Sequence, residues 1–109
     1  MIVKNLTKNT VISFDLKEAK TLLDQAFGLL KKSNPRSLLF KTRFGIHTFG
    51  LKKPIDILVL DKNYRVVKST QVLQNSLFFW NPLYNLIIEL PAGTIKKSKT
   101  KTEDIIKIL

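Results

Sequence analysis

Two carboxylates stand inside runs that are otherwise apolar: Asp56 in Ile-Asp-Ile-Leu-Val-Leu and Glu89 in Leu-Ile-Ile-Glu-Leu. An isolated buried carboxylate costs more than a small fold can spare, so each must be paired or hydrogen-bonded. Near the first lie the sole histidine, His47, with Thr48 and Lys52. Two acids on neighbouring strands, with an imidazole and an ammonium close by, could run general acid–base chemistry. They could equally hold a hard or borderline cation. A structural use is open as well: Asp56 tying down the bend from Gly50 to Pro54, and Glu89 the turn from Pro91 to Gly93, through backbone N–H groups. One histidine without His-x-His or Glu-x-x-His spacing is a weak metal signal, so neither a metal nor another cofactor is expected.

The second group is Leu77-Phe78-Phe79-Trp80-Asn81-Pro82. Neighbours on an extended chain alternate faces, so these aromatics cannot all point inward. Phe79 or Trp80 would then offer a stacking or apolar surface to a sugar, base or protein. The alternative is a loop that folds back to close one end of the β core. Other chemistries lack their residues. There is no cysteine, hence no disulfide, thiolate nucleophile or cysteine-ligated cluster. Neither a Gly-x-Ser-x-Gly elbow nor a glycine-rich phosphate loop occurs among the four glycines.

The elements that must position these residues are mostly strands. Short β-rich runs open the chain at Ile2-Val3 and Val11–Phe14. Asp15 and Glu18 have capping-box spacing, and Leu16, Ala19, Leu22, Leu23, Ala26, Phe27 and Leu30 recur with helical period. That pattern predicts an amphipathic helix from Leu16 to Lys31, ended by Ser33-Asn34-Pro35. Strands are predicted at 37–41, 43–49, 55–60, 65–72, 84–90 and 105–109. Residues 55–60 should be buried on both faces and form a hairpin with 65–72 across the turn Asp61-Lys62-Asn63-Tyr64. The expected fold is mainly β: a single-domain antiparallel β-sandwich or partial barrel, residues 1–109, with one N-terminal-side amphipathic helix.

The net charge of +11 suggests a polyanion partner, because clustered Lys and Arg supply most nucleic-acid affinity. Yet the densest run, Lys96-Lys97-Ser98-Lys99-Thr100-Lys101, contains no aromatic residue to stack on a base. A lysine-rich solvated surface explains the charge as well. No apolar run is long enough for a membrane span or a signal peptide, and with the absence of cysteine this points to a cytoplasmic protein with no membrane partner.

Several stretches together resemble the uncharacterised conserved DUF-192 family. They are Gly28-Leu29-Leu30, the run from Gly45 to Asp61, Arg65-Val66-Val67, and Glu89-Leu90-Pro91-Ala92-Gly93. The resemblance implies a mainly β, sandwich-like domain with a helix near the N-terminus, and it brings no biochemical activity. Relatives in that family commonly carry Gly-Leu-Met where Leu30 stands, and many carry Trp-Met-(basic)-Asn-Thr where Phe49-Gly50-Leu51-Lys52-Lys53 lies. Their Gly-Asp pair corresponds here to Glu103-Asp104.

The reading that follows is a small binding module of unknown ligand, with a cleft near the bend from Gly45 to Pro54. His47, Thr48, Lys52, Asp56, Phe79, Trp80 and Glu89 are its expected ligand-binding residues. The ligand would be small or anionic, and the protein a monomer or weak homo-oligomer. A basic nucleic-acid-associated protein is the second reading. A hydrolase or metal-dependent enzyme using Asp56, Glu89 and His47 is the third.

Overall fold

The computed structural model describes residues 1–19, 37–43 and 45–109. Within them lie strands β1 (Val3–Asn5), β2 (Thr10–Ser13), β3 (Lys17–Glu18), β4 (Leu38–Lys41), β5 (Ile46–His47), β6 (Ile55–Leu60), β7 (Val66–Val72), β8 (Leu77–Phe78), β9 (Leu86–Pro91) and β10 (Ile106–Ile108). One short helix, α1 (Thr94–Ser98), separates the last two strands. The fold is mainly β, as the sequence predicts. No described helix is long and apolar enough to cross a membrane.

The central sheet has the order β3-β4-β9-β6-β7, with β3 parallel to β4 and the other pairs antiparallel. Its two middle strands, β9 and β6, are the most apolar segments of the chain, and every residue of β6 is buried. Side chains alternate faces along a strand. Leu58 and Leu60 of β6, with Leu86, Ile88 and Leu90 of β9, therefore pack on one side; Ile55, Ile57, Val59 and Ile87 pack on the other. A sheet buried on both faces needs a cover on each. The three-stranded sheet β10-β1-β2 covers the first face through Val3, Ile12 and Ile106. Against the second face lies a two-stranded ribbon, β5 paired with β8, which sends Ile46 and Phe78 inward. The result is a layered sandwich, and none of these sheets closes into a barrel.

Charge shapes the outer faces. On the three-stranded sheet Lys4 stands directly across from Lys107, both exposed, and like charges in that position repel. Beneath them a buried polar cluster ties β1 and the turn after it to the segment before β10. Asn5 Nδ2 donates to Asp104 Oδ2 (2.9 Å) and to Thr100 Oγ1 (3.1 Å). Lys8 Nζ reaches Asp104 Oδ1 at 2.9 Å, and the Lys101 N–H donates to Oδ2 at 2.9 Å. Burial pushes the Asp104 carboxyl upward, but the donors Asn5, Lys8 and Lys101 and the Lys8 charge outweigh it and leave the pKa lowered.

One expectation changes. Leu16–Ala19 do not open a helix: Lys17–Glu18 is a strand, held by Lys17 N–H on Ser37 O (2.9 Å) and Ala19 N–H on Leu39 O (2.8 Å). Asp15 is no helix cap either, since its Oδ1 accepts from Ser13 Oγ at 2.9 Å. The remainder of the expected helix, residues 20–31, lies outside the described residues.

Candidate functional site

The ribbon is the element to which the sequence assigned most of its candidate chemistry. Its register places Ile46 opposite Phe78 and His47 opposite Leu77. With Ile46 and Phe78 turned to the core, alternation turns His47 and Leu77 outward, and the same alternation carries on to Phe49 and Phe79. All four are exposed: Leu77 by 60%, Phe79 by 62%, Phe49 by 48%. The His47 and Phe49 rings stack, with centroids 5.2 Å apart and planes 25° apart. Phe79 lies over Gly45, where an added Cβ would sit 2.6 Å from Phe79 Cδ1 and 2.7 Å from the Phe78 carbonyl oxygen. Gly45 also has φ of +126°, a conformation side chains disfavour. A glycine here leaves room for the Phe79 ring and the Phe78 carbonyl, which approach closer than a Cβ would allow.

Thr48 fixes the far end of the ribbon. Its Oγ1 donates to Leu73 O (2.6 Å) and accepts from the Ser76 N–H (2.9 Å), while its own N–H donates to Ser76 O (2.9 Å). Basic groups flank the ribbon on both sides. Arg43 donates to Pro82 O at 2.9 Å, whereas Lys68 Nζ lies 5.3 Å from the centroid of the inward Phe78 ring, on the core side. Lys52 and Lys53 are exposed in the loop after Phe49, where the Lys52 carbonyl accepts from Gln74 Nε2 at 3.0 Å. Residues 41–55 and 68–88 together contain no Asp or Glu.

Of the seven predicted site residues, His47, Lys52 and Phe79 come together as exposed groups on and beside this ribbon. Thr48 is buried beneath it as a hydrogen-bonding brace. Trp80 is 9% exposed, packs with the core and donates Nε1–H to Tyr84 O at 2.8 Å; Phe78 lies against it with ring centroids 5.6 Å apart. The two acids do not share a face. Asp56 pairs across strands with Leu90, and Glu89 with Ile57, so Asp56 faces the three-stranded sheet while Glu89 faces the ribbon side. Asp56 Oδ2 accepts the Ile95 N–H at 2.9 Å and thereby caps α1, and Gln71 Nε2 approaches Oδ1 at 3.5 Å. The capped structure is thus the helix after Gly93, not the bend from Gly50 to Pro54. Among the described residues, no three Asp, Glu, His or Cys side chains gather to hold a metal ion. Sequence reasoning missed Phe49 and Leu77 as surface groups, although simple alternation from His47 and from Phe78 identifies both.

No family model matches the chain. A UPF0127 protein from Pyrococcus horikoshii is 30% identical over 112 aligned residues, covering 97% of this chain and 97% of that protein. A Novosphingobium aromaticivorans protein of unknown function has a crystal structure that superposes with a TM-score of 0.78 at 16% identity, over 98% of this chain and 82% of that one. A Sinorhizobium meliloti protein, named provisionally as a transcription regulator, gives 0.74 at 14% identity over 97% and 89%. At such identities the two structures speak for the fold alone.

Proposed function

This chain belongs to the UPF0127 family, and proceeding from there we propose that it is a small binding module whose contact surface is the outer face of the β5–β8 ribbon. One observation carries the reading: four side chains, His47, Phe49, Leu77 and Phe79, leave the same side of a two-stranded element and stay exposed, with Lys52 and Lys53 exposed in the adjoining loop. Exposed aromatic groups that are neither core nor scattered mark a contact site. In this reading His47 and Lys52 donate to the ligand and Phe79 covers it. Thr48 and Trp80 hold the ribbon from below, while Asp56 and Glu89 stiffen the sheet behind it. An acid–base or metal enzyme finds less support, because its two acids point away from each other. The stretches that carry the DUF-192 resemblance support placing the chain in that family too, and a cysteine-free composition supports a cytoplasmic location. The module would act as a monomer or weak homo-oligomer.

The reading is tested by amide chemical-shift mapping against a panel of monosaccharides, nucleosides and small anions. Shifts concentrated at residues 45–53 and 75–80 are expected. His47→Ala and Lys52→Ala should abolish them while leaving the melting temperature within a few degrees. Shifts confined to other surfaces would refute the ribbon as the site, and a large loss of stability from both variants would make those residues structural.

A further inference from the structure

We propose that the ribbon's ligand is a single-stranded nucleic acid, its bases stacking on Phe79 and Phe49 and its phosphates meeting Arg43, Lys52 and Lys53. The inference rests on the binding-module reading and names the class of ligand. Three observations carry it. First, three of the four exposed groups are rings on a two-stranded support, with Phe79 against Gly45 and Phe49 stacked on His47. Every base offers a π-face to such rings, and stacking needs no particular sequence. Second, the two segments that carry the rings hold bases and no acids. Among the described residues the partly or fully exposed acids Asp15, Glu18, Asp61 and Glu103 all fall outside residues 41–55 and 68–88. A neutral sugar would gain nothing from that arrangement, whereas a phosphodiester backbone is complementary to it.

Third, the aromatic and basic residues are interleaved here, unlike in the lysine tract around α1, which contains no aromatic residue. A duplex would meet the charges but keep its bases stacked on one another and closed to the rings, so a single strand fits better.

The test is fluorescence anisotropy with labelled oligo(dT) and oligo(U) of about 12 nucleotides, within the usual site sizes for such platforms. A duplex of equal length and heparin, a polyanion without bases, serve as comparisons. Phe79→Ala and Phe49→Ala should each weaken oligonucleotide binding about tenfold and leave heparin binding unchanged, while Phe79→Tyr should retain it. Three phosphate contacts on a single strand give a slope of log affinity against log salt of about −2. Heparin or duplex bound as tightly as the single strand, with the ring variants indifferent, would overturn the proposal in favour of bulk charge. A slope twice as steep would do the same, because it would enlist the lysines elsewhere on the molecule. If no oligonucleotide binds but the small-molecule panel still shifts residues 45–53 and 75–80, this inference falls and the binding module stands. If neither binds, both fall.

Discussion

Asp104 carries its charge among donors that favour it, and that has a measurable consequence. Its pKa is lowered in the folded protein because Asn5, Lys8 and the Lys101 N–H together outweigh the effect of burial. A carboxyl whose folded pKa lies below its unfolded value contributes stability that is complete above the unfolded value and lost as pH falls through the folded one. Acid unfolding should therefore steepen below about pH 4, where free carboxyls titrate. Asp104→Asn should flatten that part of the stability–pH curve and cost about 1–3 kcal/mol at neutral pH, read from denaturant melts. An unchanged acid limb in the variant would remove Asp104 from the account. Asp56 teaches a related lesson about legibility. Its apolar neighbours disclosed that it was buried and needed donors. They could not disclose that the donor would be the Ile95 N–H, thirty-nine residues on. Nor could they show that Glu89 would face the other side of the sheet, because that follows from the register Asp56 to Leu90, a non-local pairing.

The strands that were legible are those with local signals. The β6–β7 hairpin follows from two β-rich runs and a turn in which Asp61 Oδ1 accepts the N–H groups of Asn63 and Arg65 at 2.8 and 2.9 Å. The start of the supposed helix was misread because Leu16 and Ala19 are buried, as helical spacing demands, yet are buried by extended chain lying beside Leu38 and Leu39. Parallel pairing across a gap in sequence leaves no local trace. The short helix α1 was hidden in a lysine tract, where Ile95 supplies its apolar contact and left-handed Gly93 and Lys99 bound it. For the ribbon, Gly45 is the element's decisive position. Gly45→Ala should cost about 2 kcal/mol, since its Cβ would meet a backbone carbonyl as well as a movable ring at a strained φ. Trp80 fluorescence should report the ribbon lifting, because Phe78 lies against that indole. A variant of unaltered stability and emission would show that the strands have room to spare.

Across the whole molecule, a net charge of +11 spreads electrostatic repulsion widely, and the facing pair Lys4–Lys107 is one local expression of it. Screening weakens such repulsion, with a Debye length that falls from about 14 Å near 50 mM salt to about 4 Å near 0.5 M. The melting temperature should rise over that range. Lys107→Glu should raise it at low salt, by about 0.2–1 kcal/mol of added stability, and the gain should shrink as salt increases. A melting temperature that falls with salt, or a Lys107→Glu variant weaker than the parent, would count against this balance. The same sheet has a temporal side. Val3 finds Ile108 as its partner, so β1 is flanked by a strand about a hundred residues downstream. On the ribosome β1 must wait, its outer edge open, until Ile106–Ile108 has emerged, and a translation stall shortly before Ile106 would hand the cell a sandwich with one slice unsealed.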